Sequence, residues 1–245
     1  MKADVQIFKD IESLSIAAAE IFVAAAAQAI SERGRFLVAL AGGSTPAALY
    51  RLLAAELYRE RVDWAQAFIF WGDERCVPPD DEGSNYHQAN ETLLQHVPIP
   101  EANIQRIKGE LGPAEASDDY AQTLKHFAAP GLDWPRFDLV LLGMGADGHT
   151  ASLFPGSQVE VSSPTLPVTA HYQGRPAQRI TLTPPVFNSA RKVLFLVTGE
   201  DKAVTLSRVL SDISIPEQFP AQRIRPADGQ VIWLVDEAAA SKGTL

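Results

Sequence analysis

The feature that most constrains this chain is an apolar run that breaks into a glycine-spaced loop. Residues 138–150 read DLVLLGMGADGHT, so the apolar run leads directly to an aspartate and a histidine. Such a run predicts a strand buried on both faces, as in a parallel sheet. Ligands bind outside the carboxyl ends of such strands, and Asp147 and His149 fall there. Because histidine titrates near neutral pH, the pattern favours an acid–base site over the alternative, a surface histidine in a glycine loop.

A second predicted strand ends in a loop that suits an anion. Residues 35–53 read RFLVALAGGSTPAALYRLL, which predicts a strand, a glycine turn and a helix. We expect Thr45 to cap this helix and Pro46 to occupy its first position. The N-terminus of a helix exposes unpaired amides, so the segment Gly43, Ser44 and Thr45 can bind phosphate. Neither a Walker loop nor a GxGxxG motif is present, and a plain capped helix remains the alternative.

A third predicted strand ends in charged residues. Residues 67–79 read AFIFWGDERCVPP, so Asp73, Glu74 and Arg75 follow the strand closely. Carboxylates can orient a base or hold a hydroxyl, and Arg75 can bind a carboxylate or phosphate through two N–H groups. A surface ion pair is the alternative. Because parallel strands bring their loops to one edge of a sheet, we expect the three loops to meet.

Strands and helices alternate along the chain. This alternation predicts an α/β fold, with a doubly wound, mainly parallel sheet and helices on both faces. No repeat or interdomain linker stands out, so residues 1–245 are predicted to form a single domain. The predicted helices cover 13–33, 46–57, 85–96, 116–127 and 202–210, and the predicted strands cover 5–8, 36–40, 68–71, 137–142, 165–170, 179–182, 193–197 and 231–235.

Composition excludes several classes of partner. A net charge of -9 argues against nucleic acid and acidic membranes, and it means that an anionic substrate needs a local basic site. The single cysteine, Cys76, cannot form an internal disulfide and indicates a reducing compartment, so a cytoplasmic protein is expected. The alanine-rich run 16–30 is shorter than the ~20 residues that span a bilayer, and it predicts an amphipathic or buried helix. No His, Cys or carboxylate spacing suits a metal, and neither metal nor cofactor is expected.

Two basic residues stand near the ends of predicted elements. Arg179 opens the strand RITLT, and Lys202 begins a predicted helix after VTGED. A lysine in the first turn opposes the helix dipole, and a bound phosphate would remove that conflict. The alternative is a solvated lysine.

These segments resemble the 6-phosphogluconolactonase family. The matching strings are LAGGSTPAALYRLLA, WGDERCVPPDDEGSNYHQANETLL and LLGMGADGHTASLFPG, and the resemblance continues through RITLTPPVFNSARKVLFLVTGEDKA. The related glucosamine-6-phosphate deaminases share the GG-TP and DGH loops. After the histidine, however, they read IAFNEP-like where this chain has TASLFP, and they carry a Met-Asp-Glu-Tyr-like segment where it has GDER. Both differences indicate the lactonase.

The resemblance implies two groups of site residues. The residues with implied catalytic roles are His149, Asp147, Arg75 and Asp73. The residues with implied substrate or phosphate contacts are Gly42, Gly43, Ser44, Thr45, Arg179 and Lys202. In this assignment His149 is the general base, and Asp147 orients it or supports its imidazolium form. Arg75 stabilises the oxyanion or positions the substrate, and Asp73 holds the guanidinium or a sugar hydroxyl.

The implied reaction is hydrolysis of 6-phospho-D-glucono-1,5-lactone to 6-phosphogluconate in the oxidative pentose phosphate pathway. A lactone is an activated ester, and GxSxG is absent around Ser152, so a serine nucleophile is not expected. The expected partner is the small sugar phosphate lactone, and the expected assembly is a monomer or homodimer. Two alternatives remain: an enzyme like the glucosamine-6-phosphate deaminases and isomerases, or a non-catalytic sugar-phosphate sensor.

Overall fold

A six-stranded parallel sheet organises the protein. The computed structural model describes residues 4–157 and 162–242. Numbered in chain order, the strands of this sheet are β1 (Asp4–Phe8), β2 (Phe36–Leu40), β3 (Ala67–Trp71), β5 (Leu139–Leu142), β8 (Lys192–Val197) and β9 (Gln230–Asp236). Their spatial order is β1-β9-β8-β5-β2-β3. Every residue of β2 and β5 is buried, which confirms the prediction of strands covered on both faces.

A small antiparallel sheet stands beside the parallel one. Its strands are β4 (Asp73–Arg75), β6 (Thr165–Thr169) and β7 (Gln178–Leu182), in the order β4-β7-β6. The predicted strands at 165–170 and 179–182 therefore exist, but as an antiparallel hairpin. Sequence patterns missed β4, because three polar residues carry no apolar alternation.

Helices cover both faces of the parallel sheet. They are α1 (Ile11–Arg33), α2 (Ser44–Ala54), α3 (Glu56–Arg59), α4 (Asn85–Thr92), α5 (Pro113–Phe127), α6 (Pro184–Asn188) and α7 (Ala203–Val209). Phe22 of α1 packs on Phe36 at 5.2 Å, and Phe127 of α5 packs on Phe70 at 5.1 Å. Phe36 is in register with Ala67, three residues before Phe70, so the two contacts lie on opposite faces. The predicted doubly wound α/β class is confirmed.

The start of α2 differs from the prediction. The helix begins at Ser44, and Gly43 occupies the capping position with φ of 109°, where a side chain would be strained. Thr45 is the second helical residue, and its hydroxyl lies 2.8 Å from that of Thr198. The prediction of Thr45 as N-cap is therefore wrong, and Pro46 is third in the helix rather than first.

Three predicted helices are shorter in the structure. The helix predicted over 46–57 ends at Ala54, since Ala55 is extended and a separate short helix follows. The helix predicted over 85–96 ends at Thr92, and Leu94–His96 forms a 3-10 turn. Lys202 ends a 3-10 turn, Glu200–Lys202, directly before α7, so it precedes the helix that it was expected to begin.

Among the described residues, α1 alone is long and apolar enough by composition to cross a membrane. Half of its most apolar 18-residue window is buried in the protein. Leu14, Ala18 and Phe22 are completely covered, and the helix packs along β2 and α2. These contacts are those of a core helix. Asp10 caps it by accepting the Ser13 N–H at 2.9 Å.

Candidate active site

The loops that follow β2, β3 and β5 meet at one edge, because these strands are neighbours in the parallel sheet. Next to them lies a cavity of about 340 Å³. Nine of the sequence-predicted site residues line it: Gly42, Gly43, Ser44, Thr45, Asp73, Arg75, His149, Arg179 and Lys202. Asp147 is not among the residues that line the cavity, but its carboxylate contacts the His149 imidazole.

The histidine of the β5 loop is held by its own aspartate. His149 Nδ1 lies 2.6 Å from Asp147 Oδ1, and the His149 backbone N–H donates to the same oxygen at 3.1 Å. With Nδ1 as the donor, a neutral imidazole carries its lone pair on Nε2, the form that a general base needs. Burial opposes ionisation of Asp147. The hydrogen bond from His149, together with the positive charge of the imidazole when it is protonated, outweighs burial and lowers the pKa of the Asp147 carboxyl.

Glycines in the same loop make room for this pair. A Cβ on Gly145 would lie 2.1 Å from His149 Nδ1 and 2.7 Å from Asp147 Oδ1, so no larger residue fits. The Gly145 N–H also donates to the His149 carbonyl at 2.9 Å, and Gly148 turns the chain with φ of 85°. The contacts within the loop therefore position the imidazole and the carboxylate next to each other.

Two aromatic rings fix the plane of the imidazole. Phe154 stacks on His149 with 4.4 Å between ring centroids and an interplanar angle of 27°. Tyr172, from the loop between β6 and β7, meets the imidazole edge-on at 4.6 Å. The ring is thus restrained by packing as well as by Asp147.

Strand β4 divides its charged residues between two sides. Successive side chains of a strand point to opposite faces, so Asp73 and Arg75 share the cavity side and Glu74 points away. Glu74 is buried, which raises the pKa of its carboxyl. It accepts from the backbone N–H groups of Asn85 and Tyr86, both at 2.7 Å. Glu74 therefore holds the 76–86 segment in place.

Arg75 and Arg179 form a buried pair of like charges. They face each other across the antiparallel strands β4 and β7, and their exposed fractions are 8% and 2%. Arg75 donates to the Gly83 carbonyl, and Arg179 Nε donates to the Pro176 carbonyl at 3.1 Å. Arg75 Nε and Arg179 Nη2 have no hydrogen-bond partner among the described residues. Burial lowers the pKa of the Arg179 guanidinium.

Buried arginines without a carboxylate partner indicate an anion site. Facing like charges in a sheet are destabilising, and unpaired buried N–H groups add to the cost. An anion bound between Arg75 and Arg179 would offset the repulsion of the two charges and accept hydrogen bonds from the unpaired N–H groups. Neither residue forms an ion pair within the described parts of the chain, so Arg75 does not belong to the surface ion pair that was the alternative.

The glycine loop before α2 is partly committed to the protein itself. The Gly43 N–H donates to Gln88 Oε1 at 2.8 Å, so this amide is not available to a ligand. The amides of Ser44 and Thr45 begin the helix and have no backbone acceptor among the described residues. A Cβ on Gly42 would lie 1.8 Å from Asn85 Oδ1, which explains the glycine there.

Lys202 lines the cavity as an already paired cation. Its ammonium contacts the carboxylate of Asp201, and its side chain is 19% exposed. The neighbouring carboxylate neutralises the charge that seemed to oppose the helix dipole. A conflict with the helix dipole therefore does not indicate a phosphate at Lys202, whereas its position on the cavity wall does.

Sequence reasoning missed several residues of the cavity wall, among them Asn85, Tyr172, Arg175 and Thr198. Asn85 falls inside the SNY string of the matched segment, and this was the available signal. Tyr172 and Arg175 lie in a hairpin loop without a recognisable pattern. Ser152 is completely buried and hydrogen-bonded to Asp73, so it cannot reach a substrate as a nucleophile.

Two further chemistries have little support at this edge. Burial raises the pKa of the Cys76 thiol to about 11, so the thiol stays protonated near neutral pH and is a poor nucleophile. Within residues 4–157 and 162–242, no three His, Cys, Asp or Glu side chains cluster as metal ligands would.

Comparisons with known proteins agree with the matched strings. Residues 9–233 match the family model described as glucosamine-6-phosphate isomerases/6-phosphogluconolactonase. A 6-phosphogluconolactonase of Nostoc sp. is 37% identical over 245 residues, which cover 99% of each chain.

Solved structures share the fold. The 6-phosphogluconolactonase from Trypanosoma brucei superposes with a TM-score of 0.85 at 30% identity, covering 98% of both chains. A monomeric glucosamine-6-phosphate deaminase superposes with a TM-score of 0.82 at 25% identity, covering 97% of this chain and 99% of its own. Because a lactonase and a deaminase share this fold, the fold alone does not distinguish between the two activities.

Proposed function

The chain belongs to the glucosamine-6-phosphate isomerase/6-phosphogluconolactonase family, and we propose that it hydrolyses 6-phospho-D-glucono-1,5-lactone to 6-phosphogluconate. One observation carries the proposal. His149, held at Nδ1 by Asp147, stands on the wall of a cavity that also contains two buried arginines with unpaired N–H groups. A base and an anion site together are what hydrolysis of an anionic lactone requires.

The reaction needs no covalent intermediate. His149 Nε2 takes a proton from water while the water oxygen bonds to the lactone carbonyl carbon. The tetrahedral intermediate then expels the ring oxygen, which recovers the proton from the imidazolium, and the new carboxyl group ionises. Asp147 stabilises the imidazolium formed between these steps, because their contact is charge-assisted.

The remaining residues bind and polarise the substrate. Arg75 stabilises the developing oxyanion or positions the substrate, and Asp73 accepts a hydrogen bond from a sugar hydroxyl. The phosphate lies at the start of α2, where the Ser44 and Thr45 amides point outward, with Arg179 and Lys202 supplying positive charge. Gly42 and Gly43 shape this loop.

Freshly generated 6-phosphogluconolactone provides the direct test. Acid release is followed at several enzyme concentrations and corrected for spontaneous hydrolysis. We expect turnover above background that scales with enzyme and falls when the unphosphorylated lactone is used. Ammonia release from glucosamine 6-phosphate would instead favour the deaminase alternative. Binding of 6-phosphogluconate without turnover of the lactone would favour the sensor.

The chain also fits one domain that acts in the cytoplasm. Strand β1 pairs with β9 in the same sheet, with Asp4 in register with Ile232, which supports a single domain over 1–245. The acidic balance and lone cysteine support a cytoplasmic enzyme with a small-molecule partner and no nucleic acid or membrane partner. A monomer or homodimer is the proposed assembly, and light scattering measures it.

A further inference from the structure

A buried hydroxyl reaches from the histidine loop to the carboxylate of β4. Ser152 follows His149 by three residues and has no exposed surface. Its hydroxyl donates to Asp73 Oδ2 at 2.6 Å, a short distance typical of a bond to an ionised oxygen. This bond links the two loops whose residues the reaction uses.

Asp73 is held at its other oxygen as well. Asn85 Nδ2 lies 3.2 Å from Asp73 Oδ1 and donates to the Asp73 carbonyl at 2.9 Å. Asn85 in turn fills the space beside Gly42. We call the hydrogen bonds from Ser152 and Asn85 to this side chain the Asp73 clamp.

The clamp matters because of what stands next to it. Asp73 and Arg75 share one side of β4, and the charge of Asp73 acts on Arg179. Nevertheless, no ion pair joins Asp73 to either arginine in the described residues, although both arginines have an unpaired buried N–H. If the Asp73 carboxylate were free to rotate, pairing with either arginine would be favourable. A charge-assisted hydrogen bond would then form at an N–H group that has no partner.

We propose that Ser152 is a positioning residue that holds the Asp73 carboxylate off Arg75 and Arg179 and thereby keeps their N–H groups available to the substrate. The proposal rests on the proposed function, which assigns these arginines to substrate. It gives Ser152 a role in binding through Asp73, and no role as a nucleophile.

The test is a double-mutant cycle with Ser152→Ala and Asp73→Asn. In the presence of Asp73, Ser152→Ala releases an anion that competes for the arginines, so KM for the lactone rises about tenfold while kcat changes less. In the Asp73→Asn protein no competing charge exists, so the same substitution leaves KM within about twofold. Equal rises of KM in both backgrounds, or no rise in either, overturn the proposal.

A binding measurement separates this proposal from the proposed function. Titration calorimetry with 6-phosphogluconate or inorganic phosphate gives the same four affinities without any turnover. A protein that fails to hydrolyse the lactone refutes the proposed function, whereas the clamp still stands or falls on whether Asp73→Asn abolishes the effect of Ser152→Ala.

Controls distinguish positioning from general destabilisation. Ser117→Ala removes another buried hydroxyl, which donates to Thr165 Oγ1 at a distance of 3.0 Å. Neither residue lines the cavity. Ser117→Ala should lower the melting temperature as Ser152→Ala does, with KM unchanged. If Ser152→Ala does not fold, Ser152→Cys, which keeps the shape with a weaker donor, takes its place in the same cycle.

Discussion

The histidine loop after β5 and the arginine pair of β4 and β7 are organised in opposite ways. His149 and Asp147 lie two positions apart and form a hydrogen bond with each other. Gly145 has no side chain that would collide with them. Arg75 and Arg179 come from segments 104 residues apart and retain unpaired buried N–H groups. The imidazole is therefore positioned by contacts within its own loop, whereas the two arginines present N–H groups that an anionic ligand can bind.

This contrast separates catalysis from binding and can be tested by mutation. Changes in the histidine loop should act on kcat, because the contacts within that loop position the imidazole. Changes at Arg179, which is proposed to bind the phosphate, should act on affinity and on the stability of the protein.

Removal of the base should have the largest effect. His149→Gln keeps a polar side chain but cannot cycle a proton, so kcat for the lactone should fall by roughly 10²–10⁴-fold. Steady-state kinetics measures the fall, and circular dichroism checks the fold. A folded variant with nearly normal kcat would show that the histidine loop is not the catalytic region.

Steric displacement of the base tests its preorganisation. Gly145→Ala places a methyl group 2.1 Å from His149 Nδ1, so the imidazole must move and kcat should fall by about 10²-fold. Gly143→Ala is the matched control for kcat, since a Cβ there meets nothing within 4 Å; because Gly143 lines the cavity, its effect on KM is compared separately. Comparable losses of kcat in both variants would mean that the loop tolerates no side chain anywhere and that the position of the imidazole is not the cause.

Neutralising one member of the arginine pair should weaken substrate binding without lowering the stability of the fold. Arg179→Met removes a buried charge, so kcat/KM should fall by about 10- to 150-fold, as loss of a charge-assisted bond predicts. The unliganded variant should melt at least as high as the wild type, because the facing charges no longer repel. Calorimetry measures the melting temperature, and a clear drop would show that Arg179 serves the fold instead.

Lys202 offers a milder version of the same experiment. Because Asp201 already pairs with its ammonium, substrate phosphate must compete for it, and Lys202→Ala should lower kcat/KM by only about tenfold. The loss should vanish with unphosphorylated δ-gluconolactone. If both lactones lose equally, Lys202 does not bind the phosphate.

The smallest effect concerns stability at low pH. The pKa of Asp147 is lowered in the folded protein, so its contribution to folding is present above its unfolded pKa of ~3.9 and is lost as pH falls through the folded value. Asp147→Asn lacks this contribution. The difference in melting temperature between wild type and variant should therefore shrink as the pH is lowered from 7 towards 3, and a constant difference would contradict the assigned shift.

The same contrast explains what the sequence could predict. Apolar runs ending in glycine loops predicted β2, β3 and β5, and the parallel order then placed their loops together. The Asp147–His149 contact is local, so a spacing of two residues allowed it to be anticipated. These features depend on neighbouring residues and on a general rule of α/β sheets.

Features that depend on distant segments were missed. No local pattern shows that Arg75 stands opposite Arg179, since that register comes from the antiparallel sheet. The cap of α2 was misplaced because Gly43 adopts a conformation that only the complete loop requires. The ion pair between Lys202 and Asp201 was also missed. The two residues are adjacent, but adjacency in sequence does not establish that their side chains are in contact.

The pairing of β1 with β9 has a consequence for synthesis. Strand β1 has a single neighbour in the sheet, and Asp4 and its partner Ile232 are separated by 228 positions. At ribosomal rates of about 5–20 residues per second, β1 waits roughly 10 to 45 s for that partner. Throughout this interval the apolar helix α1 lies between an unpaired strand and an incomplete sheet. Strand β1 can therefore join the sheet only after β9, the last strand of the sheet in chain order, has been made.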